Sequence, residues 1–112
     1  MKLKLISIRN WRKIKKMDIH FNELMLFLGQ SIEGTNNVTS ALSFAFNKSP
    51  LDISDIAKGS DYAQLKLIFI KNKLSYKLKI LIYNDMNVKY LLKTKNEWEE
   101  ITHRDYINFI EE

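Results

Sequence analysis

The chain has 112 residues and a mass of 13.3 kDa, a length that suits one domain able to bury roughly two thirds of its unfolded surface. Hydrophobic residues make up 46% of it, with only three Gly and one Pro, which excludes disordered, collagen-like and linker sequences. The absence of Cys removes disulfides, thiolate metal sites and cysteine nucleophiles. Charge is unevenly placed, since residues 1–95 hold 17 basic and 7 acidic groups, a balance of +10, and residues 96–112 hold one and six, a balance of -5.

The longest uninterrupted apolar run, Leu24 to Leu28, is far short of the roughly 20 residues that cross a bilayer. The N-terminus alternates charged with apolar residues and is no secretory signal. The expectation is a soluble, cytoplasmic protein without membrane contact. Its positive field attracts phosphates, yet 15 of the 18 cations are Lys, whereas base edges are read mainly by the Arg fork. Two readings stay open: lysines on solvated strand faces, or sequence-independent nucleic-acid binding.

In chain order, Leu3, Leu5, Ile6 and Ile8 interleave with polar residues and slip phase once, which predicts a strand over 2–9 with a bulge. Met17, Ile19 and Phe21 repeat the alternation, and Leu24 to Leu28 reads as a buried strand ending at Gly29. Residues 29–36 read as a loop. From Asn37, the apolar Val38, Ala41, Leu42, Ala45 and Phe46 fall at helical spacing until Asn47. After an irregular stretch, residues 62–95 predict an antiparallel meander: Leu65 to Phe69, Leu74 to Ile82 and Val88 to Leu92. Asn72 and Lys73 form its first turn, because Asn tolerates positive φ. Thr102 and Asp105 have the spacing of a capping box ahead of a closing helix over 102–111, with Tyr106, Ile107, Phe109 and Ile110 as its apolar face.

The strand LMLFLG, the loop QSIEGTNN and the helix VTSALSFAF follow one another in the order of a phosphate-binding P-loop. With Asn10, Trp11 and Arg12 as the triplet after the first strand, with Gly29, Gly34, Asn37, Ala41 and Leu42 in the loop and helix, and with the turn Lys58, Gly59, Ser60, the chain resembles the N-terminal lobe of an SMC/RecF/OLD-type ABC ATPase head. The resemblance implies an α+β fold, α/β-like, with a mixed sheet around the P-loop-type helix plus the meander. It also implies a second lobe carrying the signature and acidic pair, neither of which is found in this sequence.

The loop departs from the family pattern where chemistry is done. Thr35 stands in place of the phosphate-binding Lys and Asn36 in place of the magnesium-binding Ser or Thr. Ile32 replaces a Gly, Ser31 an Asn, and Glu33 adds a negative charge. Loss of the Lys alone removes about 1.5–3 kcal/mol of charged hydrogen bonding. The resemblance therefore implies a vestigial nucleotide site of Gly29, Gly34, Thr35 and Asn36, with Arg12 or Lys13 as candidate replacement cations and Arg12 assigned to the site. No catalytic residue is assigned, no metal and no cofactor beyond weak ATP binding.

The nucleic-acid candidates are Arg9, Arg12, Lys13, Lys15 and Lys16, joined by Lys77 and Lys79 on one face of a strand. Trp11 and Trp98 either stack bases or fill the core. His20 and His103 are isolated, so neither marks a metal site, and Glu97, Glu99 and Glu100 read as an acidic run before the last helix. The expected role is non-catalytic: a half-head that serves as an interaction or regulatory module for a partner ATPase or for DNA, as a homodimer or with a protein partner. The alternatives are a nucleotide-binding component of a split ATPase and a simple basic nucleic-acid binder.

Overall fold

The computed structural model describes residues 2–20 and 32–111, with 32–36 described by backbone alone. The expected strand at Leu24 to Leu28, and Gly29 after it, lie outside the described residues. The elements are β1 (Lys2–Trp11), β2 (Ile14–His20), α1 (Ile32–Ala45), a 3-10 turn (Ile53–Asp55), β3 (Tyr62–Lys71), β4 (Leu74–Tyr83), β5 (Val88–Thr94), β6 (Glu97–Ile101) and α2 (His103–Glu111). The strands form one sheet in the order β2-β1-β3-β4-β5-β6, each described pair antiparallel. This is the α+β architecture expected from the sequence.

Alternation decides which face is buried. Ile6 and Ile8 of β1, Leu65, Leu67 and Phe69 of β3, and Leu78, Ile80 and Ile82 of β4 point to one side. There they meet Val38, Ala41 and Ala45 of α1 and Tyr106 and Ile110 of α2 in one core. The phase slip in β1 is a register shift between Leu3 and Leu5. Asn72 and Lys73, at φ 52° and 66°, make the two-residue turn expected of them, and Gly59, at φ 86°, takes the left-handed position of the Lys58 to Ser60 turn. Thr102 Oγ1 accepts from the Asp105 amide at 3.0 Å and caps α2. Tyr106 reaches across the core to donate to the Ala45 carbonyl at 2.6 Å, tying α2 to the end of α1; burial pushes its phenol pKa up.

Two boundaries differ from the sequence reading. The helix begins at Ile32, not Asn37, so the second half of the expected loop is helical. A lone Gly34 costs a helix only about 1 kcal/mol, and the packed face of Val38, Ala41 and Ala45 offsets that. The acidic run is not a connector before α2 either. Glu97, Glu99 and Glu100 sit in the strand β6, paired with β5 from Thr94↔Glu97 to Tyr90↔Ile101.

Candidate functional site

The β1–β2 hairpin turns at Arg12 and Lys13, and its tip is fastened to the segment before β3. Asn10 and Arg12 both adopt positive φ, at 56° and 51°. Two backbone hydrogen bonds then zip the chain on, the Arg12 amide donating to the Asp55 carbonyl at 2.7 Å and the Ala57 amide to the Asn10 carbonyl at 2.8 Å, and together they make the antiparallel bridge between Trp11 and Ile56. Asp55 is 3% exposed; its carboxylate accepts from Arg12 Nε and from the Asp52 amide, each at 2.9 Å. Trp11 is fully buried, donates Nε1–H to Ser40 Oγ at 2.9 Å and stacks on Phe44 at 5.8 Å. Of its two readings, the core is the one observed.

This fastening leaves two hollows around the hairpin tip. One, of about 730 Å³, is lined by Arg12, Lys13, Lys58, Ser54 and Asn37 among others. The second, of about 370 Å³, adds Lys15, Asn10 and Ser60 beside the same three cations. No carboxylate among the described residues lines either hollow. Asn37 follows Thr35 and Asn36 in α1, so Arg12, Lys13 and Lys58 gather beside the N-terminal half of that helix. In the sequence Lys58 is legible only as part of a turn; its neighbourhood with Lys13 is a product of the docked segment.

The remaining predicted cations lie elsewhere, on the sheet face turned away from the core. The pairing registers align this face in three rows. The first runs Lys16, Arg9, Gln64, Leu81, Lys89; the second Asp18, Ser7, Lys66, Lys79, Leu91, Glu100; the third His20, Leu5, Ile68, Lys77, Lys93, Trp98. Arg9 is paired with Asp18 at 2.9 Å. Hydrogen bonds from Ser7 and Arg9 hold the Asp18 carboxyl below its ordinary range. Lys79 Nζ sits 4.1 Å from the Trp98 ring centre, with Lys93 Nζ at 5.8 Å. Partial burial, then the charges of Lys66 and Lys93, lower the Lys79 pKa. Thus Lys13 and Lys15 join the cleft, while Arg9, Lys16, Lys77 and Lys79 belong to the open face.

Gly34, Thr35 and Asn36 are backbone-helical in α1. The described residues hold no group of three or more His, Asp or Glu able to bind a metal, and no described helix is long and apolar enough to cross a membrane.

No protein-family model and no curated protein matches the sequence. Solved structures do match. One comes from work on ATP-driven dimerization and DNA-stimulated activation of SMC ATPases, with TM-score 0.73 and 14% identity over 99% of this chain and 78% of the other. The SMC head domain from Thermotoga maritima matches with TM-score 0.71 and 14% identity, over 97% of this chain and 42% of that one. An SMC head bound to the C-terminal winged-helix domain of ScpA matches with TM-score 0.70 and 14% identity, over 96% and 39%. The chain thus spans about two fifths of the last two. Its fold is that of the N-terminal lobe of an SMC-type ABC ATPase head.

Proposed function

We propose that the chain is a non-catalytic half-head: a lobe of SMC type that acts by binding a partner ATPase or other protein rather than by hydrolysing ATP. What supports this reading is that Thr35 and Asn36 fall where the family resemblance puts the phosphate-binding Lys and the metal-binding hydroxyl, on a chain whose described residues have the fold of the lobe. The similar heads are described as dimerizing and as bound to ScpA, which supports association as what such a lobe retains once the phosphate chemistry is gone. The isolated chain is expected to show no magnesium-dependent ATP turnover and no heat of ATP binding in calorimetry at micromolar protein. Thr35→Lys with Asn36→Ser is expected to raise ATP affinity by about one to two orders of magnitude without turnover. Micromolar ATP affinity in the unaltered chain, or turnover lost on changing Gly34, overturns the reading.

A second reading, sequence-independent nucleic-acid binding, is favoured by the cleft of Arg12, Lys13, Lys15 and Lys58, which no carboxylate lines among the described residues. If about five phosphates are neutralised, log affinity for duplex DNA falls with log salt at a slope of about -4 to -5, with little sequence preference. Lys13 and Lys15 line the cleft and are exposed, so reversing them to Glu abolishes that binding and spares the fold. No binding at low salt removes this reading and leaves the first.

A further inference from the structure

The open face of the sheet is built against its own stability. Lys66 stands directly opposite Lys79, and Lys77 directly opposite Lys93. Like charges in directly opposed cross-strand positions destabilise a sheet. None of the four has a carboxylate within ion-pair distance among the described residues. Between them lie Ile68, Leu81, Leu91 and Trp98, each only half-buried, whereas both helices send their buried side chains to the opposite face. Among the described residues, the patch therefore combines four ammonium groups outside ion-pair distance of any carboxylate with apolar surface in alternation.

We propose that this face docks an acidic amphipathic segment of a partner protein, its carboxylates on Lys66, Lys77, Lys79 and Lys93 and its apolar side chains on Leu81, Leu91, Ile68 and Trp98. The proposal rests on the reading of the chain as a binding module. Charge complementarity alone admits any polyanion, and the apolar component makes the choice. A phosphate backbone neutralises the lysines but offers no aliphatic groups to cover Leu81, Leu91 and Ile68. Base stacking on Trp98 must also displace the Lys79 ammonium already seated on that ring. Carboxylates interleaved with leucines relieve the Lys–Lys repulsion and bury the apolar groups in one step.

The test uses the full chain and three labelled probes in fluorescence anisotropy: a short synthetic peptide of Glu and Leu in amphipathic pattern, the same peptide with every Leu replaced by Ser, and an oligothymidylate of equal charge. The Glu/Leu peptide is expected to bind at least about tenfold more tightly than either of the others. Lys66→Glu with Lys93→Glu converts both repulsive pairs into attractive ones, so it is expected to raise the melting temperature while weakening peptide binding by about tenfold or more. Leu91→Ser is expected to weaken the Glu/Leu peptide and leave the Glu/Ser peptide unchanged. Oligothymidylate binding equal to or tighter than the peptide overturns the proposal, as does peptide affinity unaltered by the Glu variants. ATP turnover, measured separately, tests the half-head reading without touching this one.

Discussion

Trp11→Ala is expected to cost about 3–5 kcal/mol of folding stability, the range for a fully buried large aromatic. A small domain is stable by only about 5–15 kcal/mol in all, so urea denaturation followed by far-UV circular dichroism should show the midpoint collapse toward zero denaturant. Burial and two contacts make the site hard to repair. The indole is fully buried, its N–H donates to Ser40 Oγ, and its ring lies on Phe44. The residue thereby joins the β1–β2 hairpin to α1. Trp11→Phe keeps most of the apolar volume and loses one hydrogen bond, at a cost of about 1 kcal/mol from that bond; Ser40 Oγ still donates to the Asn37 carbonyl at 2.8 Å. A Trp11→Ala variant with undiminished stability but weakened nucleic-acid binding is the outcome that restores the stacking role.

Arg12→Ala is expected to cost about 2–3 kcal/mol, below the 3–5 kcal/mol of a fully buried pair because one partner keeps contact with water. The Arg12 side chain is 38% exposed and that of Asp55 5%. Removing the guanidinium leaves Asp55 buried with only the Asp52 amide as a side-chain partner among the described contacts. A double-mutant cycle with Asp55→Ala is expected to give a coupling energy of about 1–3 kcal/mol, read from chemical denaturation. Zero coupling, with stability unchanged by Arg12→Ala, would assign Arg12 to a ligand instead. The ion pair also bears on the nucleotide site proposed around Gly34 to Asn36. Arg12 is held to Asp55 through its side chain and its backbone amide, so recruiting it to a phosphate there competes with the anchorage of the hairpin tip.

What could be read in advance follows interaction range. The bulge in β1, the Asn72–Lys73 turn and the Thr102 cap are settled within a few residues by φ preferences, side-chain alternation and one hydroxyl. The strand β6 is harder to see. Three of its five residues are Glu, a type depleted from strands. It forms because β5 offers a ladder and because the lysines of β4 and β5 shelter Trp98. The start of α1 escapes for the same kind of reason. The Gly spacing of a phosphate loop masks a helix whose early turns follow from packing farther along its face.

The cations divide along the same line. Their number, their excess of Lys over Arg and the presence of Thr35 and Asn36 after Gly34 belong to the sequence by itself, as does the alternation that separates a buried from an open sheet face. Only the tertiary structure decided which cations act together. Sequence neighbours Lys15 and Lys16 part, one to the cleft with Lys58 and one to the sheet face with Arg9, because successive side chains in a strand point to opposite sides. Lys66, Lys79 and Lys93 come together across three strands, since register, which depends on turn lengths and core packing over the whole sheet, sets who stands opposite whom.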